Sequence, residues 1–449
     1  MTTGPASAAP QGRRPRLSPG VLLFSGCAAG ALGVVLSWWH SGGAAAASAD
    51  VVDSAARLTG LLAGYTAAVL LGLMARTPAL ERTVGTAQLM RGHALGGRLV
   101  VLLALSHGIL ATLRWTAATP GSLPHRLVGP VPHNRRLLDA VLALLILLVV
   151  GAASARAARR ALGHTLWQGI HLTTYLSVAL ALGHQLDGPD LRLGTITRVA
   201  WYTLYTAVTA LLVHQRIIVP VQQAHRYRLR VLDVVTEAPG VVSVYIRGRH
   251  LNELGAEPGQ FLRWRFLNRD LWWTSHAYSL SAPAGKETLR ITVKEAGRHS
   301  RAVAHLRPGT RVVTQGPYGA LTARDHHPDK VLLLGGGVGI APLLTLLETL
   351  PGDVTLLYRA RTVEDLALRD DVDALADVRG PGTTRVLYSV EGEADFVPLT
   401  ARALKRAILD LPAHVVYLVG PPAMVTAARR ALRRAGVPRR HILYESFAF

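Results

Sequence analysis

Long apolar runs fill the first half of the chain, and short alternating runs fill the second half. An apolar helix of about 20 residues rises about 30 Å, which is enough to cross the hydrocarbon core of a bilayer. The pattern therefore predicts a six-helix transmembrane bundle. A retained first helix is favoured over a cleaved signal peptide because further spans follow it. The six runs are Val21–Trp39, 55–75, 92–114, 137–155, 165–184 and 198–219.

After Pro220 the runs become β-rich and are punctuated by glycine and proline, which is typical of an antiparallel barrel. From about Lys330, apolar strands alternate with helical stretches, which predicts a parallel α/β sheet of Rossmann-like type. We therefore predict a multi-domain membrane protein. Its parts are a basic N-terminus at 1–19, a six-helix transmembrane domain at 20–220, an antiparallel β-barrel domain at 221–325 and an α/β domain at 326–449.

The charge distribution orients the predicted bundle. The formal net charge is +21, and much of the excess flanks the apolar runs, so membrane topology explains it better than a nucleic-acid partner does. Arginines in the N-terminus, before the third and fifth runs and after the sixth fall on one side if the spans alternate. The positive-inside rule makes that side cytoplasmic. We predict a multi-pass protein of the plasma membrane, in contact with lipid, with both termini cytoplasmic.

Two of the predicted spans carry paired histidines. His93 and His107 are fourteen residues apart, and His171 and His184 are thirteen apart. Each pair thus spans roughly 20 Å along a helix, which indicates two sites, one toward each membrane face. Imidazole is a common axial ligand to heme iron, and ionisable groups inside spans are usually functional. A single cysteine, Cys27, excludes a disulfide scaffold.

The helical period fits one histidine pair better than the other. Fourteen residues return to nearly the same helix face, about 40° off, whereas thirteen leave a mismatch of about 140°. A bend near Gly183, or ligands that approach from different sides, is therefore required. His164 and His214 are spare candidates, which we interpret as interfacial.

A second set of motifs lies in the predicted barrel. A Tyr-Ser pair at a strand end offers an aromatic face and a hydroxyl, and a cation, a glycine and a hydroxyl before a helix suit a pyrophosphate. An ordinary surface loop is the alternative. The residues are His276, Tyr278, Ser279, Leu280 and Ser281 in the first group, and Lys294, Gly297 and Ser300 in the second.

The α/β part carries a glycine turn between an apolar strand and a helix, formed by Gly335, Gly336, Gly337, Gly339 and Pro342. Backbone N–H groups in such a turn cradle a diphosphate. The next strand ends at Arg359 and Arg361 rather than at an acidic residue, which favours the 2′-phosphate of NADPH over NADH. Solvated surface arginines are the alternative. A later strand leads into Val419, Gly420, Pro421 and Met424, and the chain stops at Phe449.

Taken together, these motifs resemble the ferric reductase and NADPH oxidase family of transmembrane flavocytochromes. The segment Trp167–Tyr175 and the histidine spacings carry the likeness to the heme-binding membrane domain. The resemblance implies two b-type hemes, held by His93 with His171 on the inner side and by His107 with His184 on the outer side.

The remaining motifs resemble the FAD and nicotinamide domains of the ferredoxin-reductase superfamily. Lys294 stands where the family usually has arginine, which keeps the charge but loses the bidentate fork. Val419 stands where the family has a cysteine beside the nicotinamide. The resemblance also implies that the terminal Phe449 stacks on the flavin; a frayed tail is the alternative.

The expected function is a transmembrane oxidoreductase that passes electrons from cytoplasmic NADPH through FAD and two hemes to an extracytoplasmic acceptor. Ferric iron, as a metal chelate, is slightly favoured over O₂, whose reduction would form superoxide. One alternative is a relay subunit that reduces a protein partner docked on Arg126, Arg135 and Arg136 of an outer loop. The other is a heme-free, membrane-anchored flavin reductase, and a heme absorbance spectrum separates it from the first.

Overall fold

The computed structural model describes residues 18–40, 50–122, 134–193, 195–323 and 329–447. Residues Met1–Val213 and His214–Phe449 form two compact units. Phe449 and Arg126, both singled out above, lie outside the described residues, as do the arginines of the N-terminus.

The first unit is helical. Its helices are α1 Pro19–Trp38, α2 Val51–Leu73, α3 Pro78–Val84, α4 Thr86–Ala118, α5 Arg135–Ala153, α6 Arg156–Ala161, α7 His164–Leu172, α8 Thr174–Leu186, α9 Pro189–Leu193 and α10 Thr195–Val213. The next helix, α11 Val219–Tyr227, belongs to the second unit. A π-helical turn, His214–Ile218, joins the last two, so that Thr195–Tyr227 is a continuous helical stretch of 33 residues.

Among the described residues, five helices are long and apolar enough to cross a membrane by length and composition. They correspond to five of the six predicted spans. The residues of the other span, 165–184, form the shorter helices α7 and α8, which meet at Thr173. The hydroxyls of Thr173 and Thr174 donate to the carbonyls of Ile170 and His171 at 2.7 and 2.6 Å. Such bonds compete with the helix ladder and bend helices. The interruption therefore lies at Thr173, not near Gly183.

Helix α2 lies at the centre of the helical unit. It packs against α1, α4, α8 and α10. Small residues allow close approach, since a Cβ on Gly64 would lie 2.4 Å from the Gln185 side chain. Large apolar side chains are exposed on the outside of the bundle, for example Leu102 at 63% and Leu145 at 53%, as expected of surfaces that face lipid.

The first part of the second unit is antiparallel. Its strands are β1 Arg230–Ala238, β2 Val241–Arg247, β3 Phe261–Phe266, β4 His276–Ser279, β5 Thr288–Lys294 and β6 Val312–Tyr318, with helix α12 Arg298–Val303. They form two three-stranded sheets, ordered β1-β2-β5 and β4-β3-β6. Single bridges join Leu280 to Ile291 and Arg230 to Arg311. Among the described residues, the predicted barrel is thus two sheets around a shared apolar core rather than one closed ladder.

The last part is a five-stranded parallel sheet, ordered β11-β10-β7-β8-β9. Its elements are β7 Lys330–Gly336, α13 Ile340–Thr349, β8 Asp353–Ala360, α14 Arg369–Arg379, β9 Thr384–Val390, α15 Ala401–Ala407, β10 Val415–Gly420, α16 Pro422–Arg434 and β11 Ile442–Ser446. Strands β8 and β9 lie on one side of β7 in the sheet, and strands β10 and β11 lie on its other side. The carboxyl ends of β7 and β10 therefore flank the switch point at which doubly wound sheets bind ligands.

Candidate functional site

The four histidines of the helical unit meet as two pairs. The rings of His93 and His171 lie 5.9 Å apart between centroids, with planes at 75°. The rings of His107 and His184 lie 6.2 Å apart at 56°. The interruption at Thr173 falls between His171 and His184. The relative direction of these two side chains is therefore not fixed by the period of an unbroken helix.

These distances would allow one imidazole from each side to ligate an iron ion between the two rings. Two imidazole–metal bonds of about 2 Å place the ligating nitrogens about 4 Å apart, and the ring centroids lie farther apart by the two ring radii. His107 Nδ1 lies 2.7 Å from the carbonyl of Ala56, which leaves Nε2 to ligate. The buried Nδ1 of His93 has no hydrogen-bond partner among the described residues. A Cβ on Gly60 would lie 2.8 Å from His107 Nδ1, so this glycine makes room for the ring.

The neighbours of the first pair make contacts that the sequence did not predict, although Trp167 belongs to the segment that carries the family resemblance. Trp167 stacks on His171 at 5.1 Å and 24°, and the Arg159 guanidinium lies 5.6 Å from the Trp167 ring centroid. His171 Nδ1 is 3.5 Å from Ser154 Oγ. The Trp–x–x–x–His spacing, one helical turn, was the available signal. Of the spare histidines, His214 lies in the π-helical turn within the stretch Thr195–Tyr227.

A network of ion pairs near the second pair was also missed. Arg57 of α2 forms a two-bond pair with the buried Asp190, with Nε 3.0 Å from Oδ2. Arg136, predicted as part of a docking surface, is engaged by Asp187 at 3.0 Å. The partners of these arginines lie 133 and 51 residues away in sequence, so no local pattern could pair them.

In the antiparallel part, the predicted flavin residues lie on β4 and just beyond it. Tyr278 is largely enclosed, and burial raises its pKa to about 12, so the phenol stays neutral. The buried hydroxyls of Ser279 and Ser281 have no hydrogen-bond partner among the described residues. Unpaired buried hydroxyls are costly, and the ribityl or phosphate oxygens of a flavin cofactor would satisfy them. Leu280 is buried beside them, and the His276 ring stacks on Tyr278 at 6.3 Å.

The predicted pyrophosphate residues divide by role. Lys294 ends β5 opposite Val241, and its ammonium has no acidic partner in the described part of the chain. Ser300 accepts from the backbone N–H groups of Ala296 and Gly297 at 2.8 and 3.0 Å, so its hydroxyl caps the short helix α12. His299 of the same loop, not singled out from the sequence, lies 4.9 Å from the ring of His276. The loop and β4 thus share one surface.

The glycine turn lies at the carboxyl end of β7, as predicted. Gly337 has φ of +54°, which favours glycine, and a Cβ there would meet nothing within 4 Å, so its backbone is approachable. A Cβ on Gly339 would lie 2.5 Å from the carbonyl of Val419, and one on Gly336 would lie 2.2 Å from the Met424 sulfur. These glycines allow β7 and β10 to approach closely. Gly335 pairs with Val419, and Pro342 lies in the first turn of α13, where its missing N–H costs nothing.

The motif after β10 is partly interior. Val419 is fully buried and packs in the core of the sheet, with Phe447 against the same cluster. Gly420 accepts a hydrogen bond from the Phe447 N–H at 3.2 Å, which ties the C-terminal segment to this turn. Pro421 caps the helix α16.

The two arginines at the carboxyl end of β8 differ in their surroundings. Arg359 donates to the carbonyl of Val397 and lies 4.8 Å from the Phe396 ring centroid, and burial lowers its pKa. The side chain of Arg361 is 75% exposed, with Asp365 3.8 Å away. Arg361 is therefore the more available cation for a nucleotide phosphate.

Two contacts join the antiparallel part to the parallel sheet. Arg290 of β5 donates to Asp371 of α14 at 2.6 Å and to the carbonyl of Ser281 at 2.8 Å. Thr345 of α13 accepts from the N–H of Gly259 at 2.9 Å. Arg290 thus connects the predicted flavin strand directly to the nucleotide domain.

Comparison with known proteins agrees with both units. A family model described as a ferric reductase like transmembrane component matches residues 59–182, which include His93, His107 and His171. A model described as an oxidoreductase NAD-binding domain matches residues 333–430.

Individual relatives match the C-terminal half. A ferredoxin–NADP reductase B from Sorangium cellulosum is 30% identical over 192 residues, which are 38% of this chain and 77% of the relative. The reductase component of a propane 2-monooxygenase from Mycolicibacterium goodii is 28% identical over 252 residues, 51% of this chain and 69% of the relative. A solved ferredoxin reductase of a carbazole 1,9a-dioxygenase aligns with TM-score 0.43 at 25% identity, over 49% of this chain and 68% of that one.

The fold and these matches define a membrane-bound, NAD(P)H-dependent flavoprotein oxidoreductase. The chain belongs to the ferric reductase and flavocytochrome family, with FAD- and NAD-binding domains of the ferredoxin-reductase type.

Proposed function

We propose that this protein passes electrons from cytoplasmic NADPH, through FAD and two b-type hemes, to an acceptor on the other side of the plasma membrane. The acceptor is a ferric chelate or O₂. When bound, FAD accepts the two electrons of a hydride and releases them singly, which heme iron requires. The protein's part is to bind, orient and insulate these groups.

The proposal rests mainly on the two histidine pairs of the helical unit. His93 with His171 would hold one heme, and His107 with His184 the other. Each pair is supported by its ring separation, and in the second pair the contact of His107 Nδ1 with the Ala56 carbonyl leaves Nε2 to ligate. The rings lie on separate helices of a bundle, where heme sites are usually built.

The remaining details extend the same architecture. The broken segment α7–α8 acts as the sixth span, and the two three-stranded sheets, bridged at Leu280–Ile291 and Arg230–Arg311, form the flavin-binding part. Tyr278, Ser279 and Lys294 bind FAD. The turn Gly335–Gly339 and Arg361 bind NADPH. The arginine distribution supports cytoplasmic termini.

The test is the heme content of the purified full-length protein. We expect a reduced b-type spectrum and two hemes per FAD. His93→Ala and His107→Ala should each remove one heme and leave FAD content unchanged, whereas His214→Ala, in the π-helical turn of the last membrane helix, should keep both. Protein that retains FAD but shows no heme absorbance would support the membrane-anchored flavin reductase instead.

The acceptor requires a separate measurement. With ferric citrate supplied under argon, a metalloreductase produces ferrous iron at twice the rate of NADPH oxidation, because each NADPH supplies two electrons and each ferric ion accepts one. In air without iron, an oxidase reduces cytochrome c, and superoxide dismutase inhibits that reduction. Dependence of both activities on an added protein would favour the alternative in which this chain is a relay subunit that reduces a protein partner. This alternative is motivated by relatives whose names contain "reductase component".

A further inference from the structure

A basic cavity opens at the end of the last membrane helix. Its volume is about 340 Å³. Five of its six lining side chains are cationic or protonatable: they are His225, Arg226, Arg228, Arg249 and His250, with Glu253 as the sixth. None of these residues belongs to the predicted heme, flavin or nucleotide sites.

The cavity retains excess positive charge after its internal pairs are counted. Glu253 accepts from Arg226 Nε at 2.8 Å and lies 3.5 Å from His250 Nδ1. The guanidinium groups of Arg228 and Arg249 have no acidic partner among the described residues, and Arg228 makes only a 3.4 Å contact with the carbonyl of His225. Two arginines thus remain for an anion, and arginine matches the geometry of a phosphate with two parallel hydrogen bonds.

The backbone supports the same interpretation. Arg228 and His250 have φ of +45° and +54°, in the left-handed region that side chains disfavour. Arg228 follows the end of helix α11, where glycine is the usual residue. Strained non-glycine residues concentrate at functional sites. At both positions a strained backbone carries a side chain that lines the cavity.

The position along the helix matches the lipid headgroup layer. Ile217, Ile218 and Val221 are exposed, at 58%, 40% and 51%, so the apolar surface extends to Val221. His225 is four residues later, about 6 Å along the axis. The headgroup layer is about 5–8 Å thick on each side of the hydrocarbon core. Basic clusters immediately cytoplasmic of a span bind anionic lipids.

We propose that this cavity binds the phosphodiester headgroup of an anionic phospholipid in the cytoplasmic leaflet. The inference rests on the membrane placement given under the proposed function. Bound lipid would anchor the junction between the last membrane helix and β1, which begins the flavin-binding part of the chain.

The experiment uses the full-length protein in nanodiscs that contain either phosphatidylcholine alone or a mixture with phosphatidylglycerol. Retained lipid is measured by mass spectrometry after transfer to detergent. The variant Arg228→Ala/Arg249→Ala should lose selective retention of phosphatidylglycerol by about tenfold or more. The matched control is Arg247→Ala/Arg265→Ala, which removes two exposed strand arginines outside the cavity and should retain the lipid. Equal loss in both variants would overturn the site.

A second variant separates binding from folding. Arg228→Gly/His250→Gly relieves two strained positions, so it should raise the melting temperature and still lose the lipid. Unchanged lipid retention in this variant would also overturn the proposal. Displacement of phosphatidylglycerol by millimolar glycerol phosphate would assign the cavity to a soluble phosphate instead. Heme content and NADPH-dependent flavin reduction in detergent test the proposed function independently, and the cavity variants should keep both.

Discussion

At the scale of single residues, hydrogen-bond partners separate side chains that look equivalent in the sequence. Arg359 lies near the end of β8 and Arg361 just after it, but only Arg359 is engaged by a carbonyl and an aromatic ring. Likewise, the His107 ring contacts the carbonyl of Ala56 through one nitrogen, whereas the Nδ1 of His93 has no such partner in the described part of the chain. The availability of each of these side chains for a ligand therefore depends on the groups that contact it directly.

Arg361 is expected to select the nucleotide. Arg361→Ala should raise the KM for NADPH by roughly tenfold or more, because a charge-assisted contact contributes about 1.5–3 kcal/mol. The KM for NADH should change little, since NADH lacks the 2′-phosphate. Steady-state kinetics with both nucleotides measures this, with the exposed Arg385→Ala as the control. Equal losses for the two nucleotides would contradict the assignment.

His414 is expected to make the nucleotide domain sensitive to acid. It is 5% exposed, and burial lowers its pKa, although the nearby carbonyl of Asp410 opposes the shift. Below the ordinary histidine pKa of about 6.5, the unfolded chain binds a proton that the folded chain resists, so stability falls as the pH falls. Hydrogen exchange of the β10 amides, corrected for intrinsic rates, should lose protection between about pH 7.5 and about pH 5.5. His414→Gln should reduce that loss, and the exposed His305→Gln should not.

At the scale of elements, short polar features decide where helices and sheets stop. The segment around Thr173 is apolar enough to read as one span, yet two adjacent threonine hydroxyls bond to carbonyls one turn back and divide it. In the second unit, the four-residue strand β4 limits the ladder that a closed barrel needs. Each interruption lies beside residues predicted to bind a cofactor.

The interruption at Thr173 is expected to set the direction of His184. Thr173→Ala/Thr174→Ala should favour a continuous helix, in which His171 and His184 differ by about 140° around the axis. One heme should then be retained poorly, and the heme-to-flavin ratio should fall. Thr66→Ala removes a similar back-bonded hydroxyl from α2 and serves as the control. An unchanged ratio in the double variant would show that packing alone positions the ring.

The contact between Arg290 and Asp371 is expected to couple the flavin and nucleotide domains. A double-mutant cycle with Arg290→Met and Asp371→Asn should give a coupling energy of about 1 kcal/mol, reduced by the 42% exposure of the Asp371 side chain. Thermal release of flavin, followed by fluorescence, measures it. The pair Arg369–Asp373 on the same helix is about half exposed at 3.6 Å and should couple weakly. Equal coupling energies in the two cycles would contradict the prediction that the Arg290–Asp371 contact couples the two domains.

At the scale of the whole molecule, the chain joins a helical membrane unit to a reductase unit. Several relatives are named as separate reductase components, whereas here the reductase continues directly from a membrane helix. The proposed electron path therefore runs within one polypeptide, from the nucleotide domain to the two histidine pairs.

We expect this electron path to use NADPH on one side of the membrane and to reduce the acceptor on the other side. In proteoliposomes, NADPH added outside should reduce ferricyanide trapped inside through those molecules whose reductase unit faces out. His107→Ala should lower this transmembrane activity to near background but keep the reduction of a dye by the flavin on the NADPH side. Reduction of trapped ferricyanide at the wild-type rate in that variant would contradict the ordered path.

The sequence by itself determined the features that repeat along the chain. Apolar runs located the five long apolar helices, alternation located the strands, and the glycine pattern located the turn between β7 and α13, because each depends on residues close together in sequence. Tertiary structure alone decided which distant groups meet, such as Arg57 with Asp190 and Arg290 with Asp371. It also decided the direction of His184, since a helix period describes only an unbroken helix. Long-range pairs leave no periodic signal, because only the folded chain brings their partners together.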